Sequence, residues 1–283
     1  MTAEDVSMVL RRAAASLVGD SARADAELLL AMALGQSRSW LYAHADAPLD
    51  SAGSERFESL LARRQRGEPI AHIRGLREFW SLELAVTADT LIPRPETELL
   101  VELALECLPA GVIQRVLDLG TGSGAIALAV AAARPLAIVT AVELQSRALQ
   151  VARRNAAKLG LERVGFLVGD WFSAVRGEIY DLILSNPPYI ADGDPHLEGG
   201  DLRFEPRSAL SSGPDGLRDL RSICASAPHH LVDCGWLMLE HGHQQGAAVR
   251  ELLSASGLVE VETRRDLEGR ERVSMARAKR RHG

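Results

Sequence analysis

The stretch from Val116 to Leu128 constrains the fold more than any other part of the chain, because it joins an apolar segment, a glycine-rich turn and an alanine-rich segment. Gly120, Gly122 and Gly124 allow positive φ angles and a close approach of the backbone to a ligand. A helix that starts after them offers free N–H groups. The G-x-G-x-G spacing is tighter than the G-x-G-x-x-G of dinucleotide sites, which argues against a pyrophosphate ligand. The stretch therefore predicts a strand, turn and helix that hold a nucleotide-like cofactor, with a turn that binds no ligand as the alternative.

Acidic side chains follow the next two predicted strands. Glu143 comes after Ala137–Val142 and can accept both hydrogen bonds of a ribose diol. Asp170 and Trp171 come after Val164–Gly169, where an acceptor and an indole face suit an adenine amine and ring. Each acid alone is more often a solvated loop residue, but successive parallel strands end at the edge where open α/β sheets bind ligands. We therefore predict that these three side chains contact the cofactor.

A fourth apolar strand, Tyr180–Ser185, is followed by Asn186-Pro187-Pro188-Tyr189. The two prolines fix φ and remove two backbone donors, so no neighbouring N–H group competes for a substrate NH₂. We expect the Asn186 side-chain oxygen and the Pro187 carbonyl to accept the two hydrogens of a planar amino group, while Tyr189 packs on its flat face. The motif predicts a site for such a group, and a proline-stiffened turn is the alternative.

The four features together resemble the S-adenosylmethionine-dependent methyltransferases of Rossmann-like fold, with D-L-G-T-G-S-G from Asp118 to Gly124 as the cofactor loop and N-P-P-Y as the acceptor loop. A narrower resemblance covers nearly the whole chain. It is to the protein-(glutamine) methyltransferases that modify peptide-chain release factors, the HemK/PrmC family. The segments that carry it are Glu68–Ile73, Arg77–Trp80, Leu91–Glu98, Asp201–Pro206 and Leu239–Gly242.

The resemblance implies an enzyme that transfers a methyl group from S-adenosylmethionine to the side-chain amide nitrogen of the glutamine in a Gly-Gly-Gln motif. The implied substrates are class 1 peptide chain release factors, so the reaction would support translation termination. The implied catalytic residues are Asn186, Pro187 and Tyr189, and Pro188 joins them in contacting the substrate. The implied contacts to S-adenosylmethionine are Asp118, Gly120, Thr121, Gly122, Gly124, Glu143, Asp170, Trp171 and Asn186.

A carboxamide nitrogen is a poor nucleophile because its lone pair is delocalised into the carbonyl group. Accepting both of its N–H bonds pushes electron density back onto the nitrogen. Displacement at a sulfonium needs alignment more than it needs a base, and the Asn186 amide cannot hold a proton near neutral pH. We therefore expect the product proton to leave to water, and we expect His241 to be a hydrogen-bonded structural residue.

For three other segments, the sequence leaves two possible roles open. Phe79 and Trp80 either cover the cofactor or pack in the core. Arg94–Thr97 either contacts methionine or substrate, or only connects two elements. The charged segment Asp201–Glu205 resembles the family's loop organiser, but a salt-bridged surface loop would have the same residues.

Composition bears on partners and on bound metals. The net charge of −6 argues against a general nucleic-acid binder. The basic residues Arg277–Arg281 are expected to form a solvated tail, with an RNA contact as the alternative. Cys107, Cys224 and Cys234 have no C-x-x-C spacing, so we expect neither a disulfide framework nor a metal site.

The apolar segments also bear on location and assembly. The longest apolar run, Ala125–Ala133, is far too short to span a bilayer. Residues Met1–Asp20 carry acids and arginines instead of an apolar signal core. No long apolar face is left over for a partner copy, so we expect a cytoplasmic monomer.

At 283 residues the chain exceeds the usual size of one domain, so two domains are expected. Apolar residues recur at helical spacing up to about Gly75, which predicts an N-terminal helical domain over residues 1–75 that either contacts a protein substrate or only packs. Alternating apolar residues from Glu78 to Ile92 predict a β-hairpin connector, which together with a linking helix covers residues 76–110. Residues 111–283 are the methyltransferase domain of the resemblance, an α/β fold. We predict a Rossmann-like, seven-stranded, mostly parallel sheet with helices on both faces and an antiparallel last hairpin. Its last three strands are predicted at Gly235–Glu240, Leu258–Thr263 and Arg272–Ala276.

Three other functions stay open. A ribosomal-protein glutamine methyltransferase shares the cofactor turn and N-P-P-Y, although Pro93–Glu98 and Asp201–Pro206 favour the release-factor enzyme. An adenine-amine methyltransferase would present the same NH₂ from a flipped base, but the acidic net charge and the lack of an evident basic recognition domain argue against it. The third is a cofactor-binding module with a silent acceptor site, against which the intact Asn186–Tyr189 motif argues.

Overall fold

The computed structural model describes residues 4–19 and 21–280 of the chain. Two of the sequence predictions fall partly outside the described residues. They concern the N-terminal segment, at residues 1–3 and 20, and the basic tail, at Arg281. The chain divides into two compact units, residues 1–75 and residues 76–283.

The described part of the first unit is helical. Its helices are α1 (Val6–Ser16), α2 (Ala22–Leu34), α3 (Arg38–Ala43), α4 (Ser51–Gln65) and α5 (Ile70–Arg74). Asp5, Ser37 and Asp50 begin α1, α3 and α4, because each side chain accepts a hydrogen bond from a free backbone N–H of the first turn. The apolar faces enclose a core that includes Leu29 and Phe57, so this unit buries a core of its own.

The second unit begins with a β-hairpin and continues with alternating strands and helices. The hairpin strands are β1 (Leu76–Phe79) and β2 (Leu82–Ala85). The later strands are β3 (Arg115–Leu119), β4 (Ile138–Glu143), β5 (Gly165–Val168), β6 (Tyr180–Ser185), β7 (Leu231–Glu240), β8 (Val259–Arg265) and β9 (Glu271–Arg277). The helices are α6 (Glu98–Cys107), α7 (Ala125–Ala133), α8 (Ser146–Leu159), α9 (Arg218–Ser226) and α10 (Gly246–Ala255).

One sheet of seven strands organises this unit, in the order β5-β4-β3-β6-β7-β9-β8. Neighbours from β5 to β7 are parallel, and β9 runs antiparallel to both β7 and β8. Alternate side chains point to opposite faces, so Leu182 and Leu184 join a core with α6 and α7 while Ile183 joins a core with α9 and α10. The predicted seven-stranded, mostly parallel sheet with helices on both faces is confirmed.

Several element boundaries differ from the prediction. The hairpin ends at Ala85, so the alternation predicted as far as Ile92 does not continue as a strand. Strand β7 starts at Leu231, four residues before the predicted segment, and Cys234 within it has a positive φ of 61° beside a register shift. None of the described helices combines the length and apolar character needed to cross a membrane.

Arg277, the first residue of the predicted basic tail, belongs to β9 instead. Its guanidinium lies 5.1 Å from the centre of the Trp236 ring and pairs with Glu260 at 3.3 Å. A solvated tail is therefore the wrong description for this residue, because the sheet holds both its backbone and its side chain.

Candidate active site

A cavity opens at the carboxyl ends of β3, β4, β5 and β6, and its volume is about 920 Å³ including the open mouth. Seven of the predicted site residues line it: Gly120, Gly122, Glu143, Asp170, Trp171, Asn186 and Pro188. Other lining residues were not indicated by the sequence, among them Asp89, Gln145, Ala148, Ser208, Arg218 and Asp219. The ends of four successive strands thus meet at one open cavity.

The glycine turn after β3 forms the floor of this cavity. Gly120 and Gly122 have φ angles of 73° and 55°, which side chains with a Cβ rarely adopt. A Cβ added to Gly120 would lie 3.3 Å from the Trp171 ring, so the indole packs directly on the turn. The backbone N–H groups of Gly120 and Thr121 both donate to the Val142 carbonyl, at 2.9 and 3.1 Å. The turn is therefore fixed against the end of β4.

Asp118, Thr121 and Gly124 lie behind the turn and do not line the cavity. Thr121 Oγ1 donates to Asp118 Oδ2 at 2.6 Å, and the backbone N–H of Ala127 donates to the same carboxyl group. Complete burial outweighs these two bonds and raises the pKa of Asp118 to about 7. Gly124, with a φ of 87°, lets the chain pass Ala152 of α8, since an added Cβ would lie 3.2 Å from the Ala152 Cβ. These residues shape the turn from its protein side.

Glu143, at the end of β4, holds the backbone with both oxygens of its carboxylate. Its Oε2 accepts from Gly122 N at 2.9 Å and its Oε1 accepts from Gln145 N at 2.9 Å. Each carboxylate oxygen has more than one acceptor position. The side chain can therefore still accept hydrogen bonds from a ligand in the cavity.

Asp170 and Trp171 form the wall that follows β5. Trp171 has a φ of 45°, a strained conformation for a bulky residue. A capping box holds it: the Asp170 side chain accepts from Ser173 N, and Ser173 Oγ accepts from Asp170 N at 2.8 Å. This local bonding presents the indole to the glycine turn.

A buried amide on α8 connects the glycine turn with the β-hairpin. Asn155 Oδ1 accepts from Ala85 N at 2.7 Å, while Nδ2 donates to the Ala85 and Ser123 carbonyls at 3.0 and 2.8 Å. Ala85 ends β2, and the segment after it contributes Asp89 and Leu91 to the cavity wall. Asn155 therefore ties two parts of the wall together, a role that its sequence context did not indicate.

A second, smaller cavity of about 530 Å³ lies on the other side of Asn186. It is lined by Asn186, Pro187 and Tyr189 from the N-P-P-Y motif and by Leu91, Arg94, Ile190, Leu202, Ala209 and Leu210. Most of these side chains are apolar, so the few polar groups act in a surrounding of low polarity. Asn186 belongs to the walls of both cavities.

Distant residues hold the two polar side chains of this motif. Asn186 Nδ2 donates to Thr97 Oγ1 at 3.1 Å, and Tyr189 Oη donates to Glu240 Oε1 at 3.3 Å. Burial raises the pKa of Tyr189, so the phenol keeps its proton. Burial also raises the pKa of Glu240 to about 7, against hydrogen bonds from Thr97 and Tyr189 and the charge of Arg272. Thr97 ends the segment Arg94–Thr97, for which a contact with methionine or substrate was left open, whereas Glu240 was not predicted as a site residue.

The backbone after the motif is fixed as well. Gln245 Nε2 donates to the Tyr189 carbonyl at 2.9 Å, and Gln245 Oε1 accepts from Gly242 N at 2.9 Å. Gly216 approaches the same carbonyl so closely that an added Cβ would overlap the oxygen. Ile190 continues the restraint by bonding to the Leu210 carbonyl at 2.9 Å. The acceptor loop is therefore restrained along its length.

Glu205 decides between the two interpretations of the charged segment after N-P-P-Y. Its buried carboxylate accepts from Ile92 N at 2.8 Å and from the Arg94 guanidinium. These bonds fasten the segment before α6 and keep Arg94 in the wall of the smaller cavity. Glu205 is thus a buried loop organiser, whereas Asp201 and Arg203 are exposed.

Phe79 and Trp80, for which two interpretations were open, and His241, which was expected to be structural, lie outside both cavities. Phe79 is buried in the core and Trp80 packs against the same cluster. His241 is fully buried, its Nδ1 donates to the Gly242 carbonyl at 2.9 Å, and its Nε2 bonds to Ser274 Oγ at 2.8 Å. Burial lowers the pKa of His241. All three are structural residues in this arrangement.

Within residues 4–19 and 21–280, no three or more His, Cys, Asp or Glu side chains are grouped so that they could hold a metal ion. The three cysteines are free thiols.

Comparison with known proteins identifies the class of this fold. Residues 97–199 match the model of the methyltransferase small domain. A solved methyltransferase structure from Pyrococcus furiosus aligns with a TM-score of 0.53 at 20% identity, over 78% of this chain and 99% of that one. The seven-stranded sheet with its cavity at the carboxyl ends is a class I methyltransferase fold.

Closer relatives define the family. Residues 9–75 match the model of the PrmC N-terminal domain. The release factor glutamine methyltransferase of Xylella fastidiosa (strain Temecula1) is 56% identical over 90% of this chain and 93% of its own length. That of Pseudomonas aeruginosa is 54% identical over 90% of this chain and 92% of its own length. The chain belongs to the release factor glutamine methyltransferase family.

Proposed function

We propose that this chain transfers a methyl group from S-adenosylmethionine to the side-chain amide nitrogen of the glutamine in the Gly-Gly-Gln motif of class 1 peptide chain release factors. The modification supports translation termination. Relatives named release factor glutamine methyltransferase, at more than half identity over most of both chains, support the substrate. The observation that carries the chemistry is the position of Asn186 in the walls of both cavities.

The larger cavity has the chemical groups that S-adenosylmethionine needs. Gly120 and Gly122 let the ligand lie against the backbone, and Glu143 has acceptor positions left for the ribose hydroxyls. Asp170 offers an acceptor to the adenine amine, and the Trp171 indole offers a flat apolar face. When bound, S-adenosylmethionine supplies a methyl carbon made electrophilic by its sulfonium group. Asp118, Thr121 and Gly124 contribute by holding the turn from behind, as does the rest of the D-L-G-T-G-S-G loop.

The smaller cavity takes the carboxamide of the substrate glutamine. Asn186 Nδ2 is engaged by Thr97, so its Oδ1 is the end that accepts an N–H from the substrate. The Pro187 carbonyl accepts the other N–H, and Pro188 brings no competing donor. Accepting both hydrogens raises electron density on the nitrogen and fixes its direction towards the larger cavity.

Tyr189 supports the flat face of the substrate amide, because its ring lines the cavity while Glu240 fixes its hydroxyl. The apolar residues around it keep water from the nitrogen during transfer. Asn186 acts by orientation and not as a base, since an amide holds no proton near neutral pH. The proton of the product leaves to water after transfer, and His241, buried and bonded on both ring nitrogens, takes no part.

The domain roles follow from this assignment. Residues 1–75 contact the release factor, residues 76–110 connect the domains, and residues 111–283 carry the transfer. The enzyme works as a monomer in the cytoplasm, where translation takes place, and it needs no nucleic acid. A net charge of −6 agrees with a protein substrate better than with a polyanion.

The test is transfer of labelled methyl from S-adenosylmethionine to a purified class 1 release factor, followed by peptide mapping. A Gln→Ala version of the Gly-Gly-Gln loop is the matched control. Label confined to that glutamine and absent from the control is the expected result. Label on ribosomal protein or duplex DNA, with none on the release factor, would replace this function by one of the two alternative methyltransferases.

A further inference from the structure

We propose that Thr97 is a positioning residue which holds the Asn186 amide with its oxygen, and not its NH₂, towards the acceptor. This inference rests on the proposed function, because it concerns the side chain that receives the substrate amide. Thr97 lines neither cavity, so it does not touch the substrate. It acts through Asn186.

The need for such a device follows from the shape of the asparagine side chain. An amide has an acceptor end and a donor end of nearly equal size, and rotation by half a turn exchanges them. If the NH₂ end of the Asn186 side chain pointed into the smaller cavity, it would face the NH₂ of the substrate amide. Packing alone does not distinguish the two orientations, so a hydrogen bond has to do so.

Thr97 Oγ1 provides that bond by accepting from Asn186 Nδ2 at 3.1 Å. Thr97 is 3% exposed and lies at the start of α6, where a threonine hydroxyl ordinarily caps the helix. Here the side chain makes no capping hydrogen bond. The hydroxyl is therefore not committed to its usual local role and is available to Asn186.

Two substitutions at one position separate orientation from packing. Thr97→Val keeps the shape of threonine without the hydroxyl, and Thr97→Ser keeps the hydroxyl without the methyl group. We expect Thr97→Val to lower kcat/KM for the release factor about 10-fold or more, because the productive orientation of Asn186 loses its hydrogen bond. Thr97→Ser should stay within about 3-fold of the parent, and the affinity for S-adenosylmethionine should change little in both. A residue that only packs would give the reverse order, and that order would overturn the proposal.

The orientation can also be measured without any substrate. The chain contains two asparagines, Asn155 and Asn186, so selective ¹⁵N-asparagine labelling yields two side-chain NH₂ groups. In the parent and in Thr97→Ser, both should be protected from hydrogen exchange. In Thr97→Val, exchange at Asn186 should rise about 10-fold while Asn155, bonded to Ala85 and Ser123, stays unchanged.

An Asn186 amide signal that does not respond to Thr97→Val would refute the positioning role. Because this readout needs no release factor, it is decided separately from the proposed function. Absence of transfer by the parent protein, with the expected exchange pattern, would count against the substrate assignment only.

Discussion

The two walls of the site are built in different ways. The cofactor wall, formed by Gly120, Gly122, Glu143, Asp170 and Trp171, is held by near neighbours, for Glu143 bonds to backbone groups 2 and 21 residues away. The acceptor wall, formed by Arg94, Asn186, Pro187 and Tyr189, is held by distant partners. Asn186 reaches Thr97 across 89 residues and Tyr189 reaches Glu240 across 51.

This difference shows what each wall requires of the chain. The cofactor wall requires β3, β4 and β5 with the turns that follow them, which are consecutive strands along the chain. A wall held from β6, β7 and the start of α6 requires the middle of the sheet to be assembled. Both walls also rely on one fully buried carboxyl group, Asp118 behind the glycine turn and Glu240 behind the acceptor loop.

The largest expected effects come from breaking one wall at a time. Asn186→Ala should lower kcat for release factor methylation about 10²–10³-fold, the usual cost of losing one preorganised polar group at the reacting centre. Its affinity for S-adenosylmethionine should fall by no more than about 10-fold. Glu143→Ala should do the opposite, weakening the cofactor about 10-fold or more because the turn loses two anchors and the ribose loses its acceptor.

Each of these variants is the control for the other. Calorimetric titration of S-adenosylmethionine and single-turnover transfer at saturating cofactor separate binding from chemistry. If Asn186→Ala abolished cofactor binding, or if Glu143→Ala lost chemistry at saturating cofactor, the division into two walls would be wrong.

A smaller effect is expected from Asn155, which joins the glycine turn to the β-hairpin. Asn155→Ala removes a side chain that makes three hydrogen bonds and leaves backbone groups of Ala85 and Ser123 buried without partners. The free energy of unfolding should fall by about 2–4 kcal/mol, measured by urea denaturation. Arg154→Ala, one position earlier on the exposed face of α8, should change it by less than about 0.5 kcal/mol. Equal losses in the two variants would contradict the role of Asn155.

The buried carboxyl groups predict how stability depends on pH. Burial raises the pKa of Asp118 and of Glu240 to about 7, from ordinary values of 3.8 and 4.5. At pH values between the ordinary pKa of each group and about 7, the folded protein keeps a proton that the unfolded chain has released. The free energy of unfolding therefore decreases as the pH rises towards about 7. Each group contributes up to about 1.4 kcal/mol per pH unit.

The amide variant Asp118→Asn separates this contribution from other titrating groups. Urea midpoints measured across the same pH range should decrease less steeply in the variant than in the parent. If the urea midpoints of the parent and of the variant changed equally with pH, Asp118 would ionise normally in the folded state.

The smallest effect concerns the turn of the β-hairpin. Trp80 and Ser81 connect the paired ends of β1 and β2 with φ angles of 52° and 58°, values that favour glycine. Ser81 is exposed, so Ser81→Gly should raise the free energy of unfolding by about 0.5–1 kcal/mol without altering transfer. Ser81→Ala, which keeps a Cβ at the same φ, is the matched control and should bring no gain. A loss of stability in Ser81→Gly would indicate that the turn carries no strain.

Much of the cofactor wall could be predicted from the sequence because its signals are contiguous. The strand, the G-x-G-x-G turn and the acids after β4 and β5 are short patterns, and the order of parallel strands brings them to one edge. The count of seven apolar strand segments matched what the family resemblance implies, and the residues of N-P-P-Y already indicated an acceptor for a planar amino group. The boundaries of β7 were wrong because the positive φ at Cys234 interrupts a strand that starts earlier than its apolar pattern.

The supports of the acceptor wall could not be predicted in the same way. Thr97 and Glu240 lie in two segments that carry the family resemblance, Leu91–Glu98 and Leu239–Gly242, but nothing in those segments identifies Asn186 or Tyr189 as their partners. Asn155 is similar, since one polar residue on the buried face of a helix does not identify its partners. Glu205 was within reach only because the resemblance drew attention to its segment. Contacts that span 70 residues or more, as those of Asn155 with Ala85 do, become visible only in the folded chain.

The most direct test of the account uses a release factor whose target glutamine is replaced by glutamate. A carboxylate has nearly the same shape and is a competent nucleophile for a sulfonium methyl group, but it offers no N–H to Asn186 and Pro187. We predict that mass spectrometry detects no methyl ester at the glutamate under conditions that fully methylate the glutamine. Methyl ester formed at a comparable rate would contradict the claim that two carbonyl acceptors select and activate the acceptor amide.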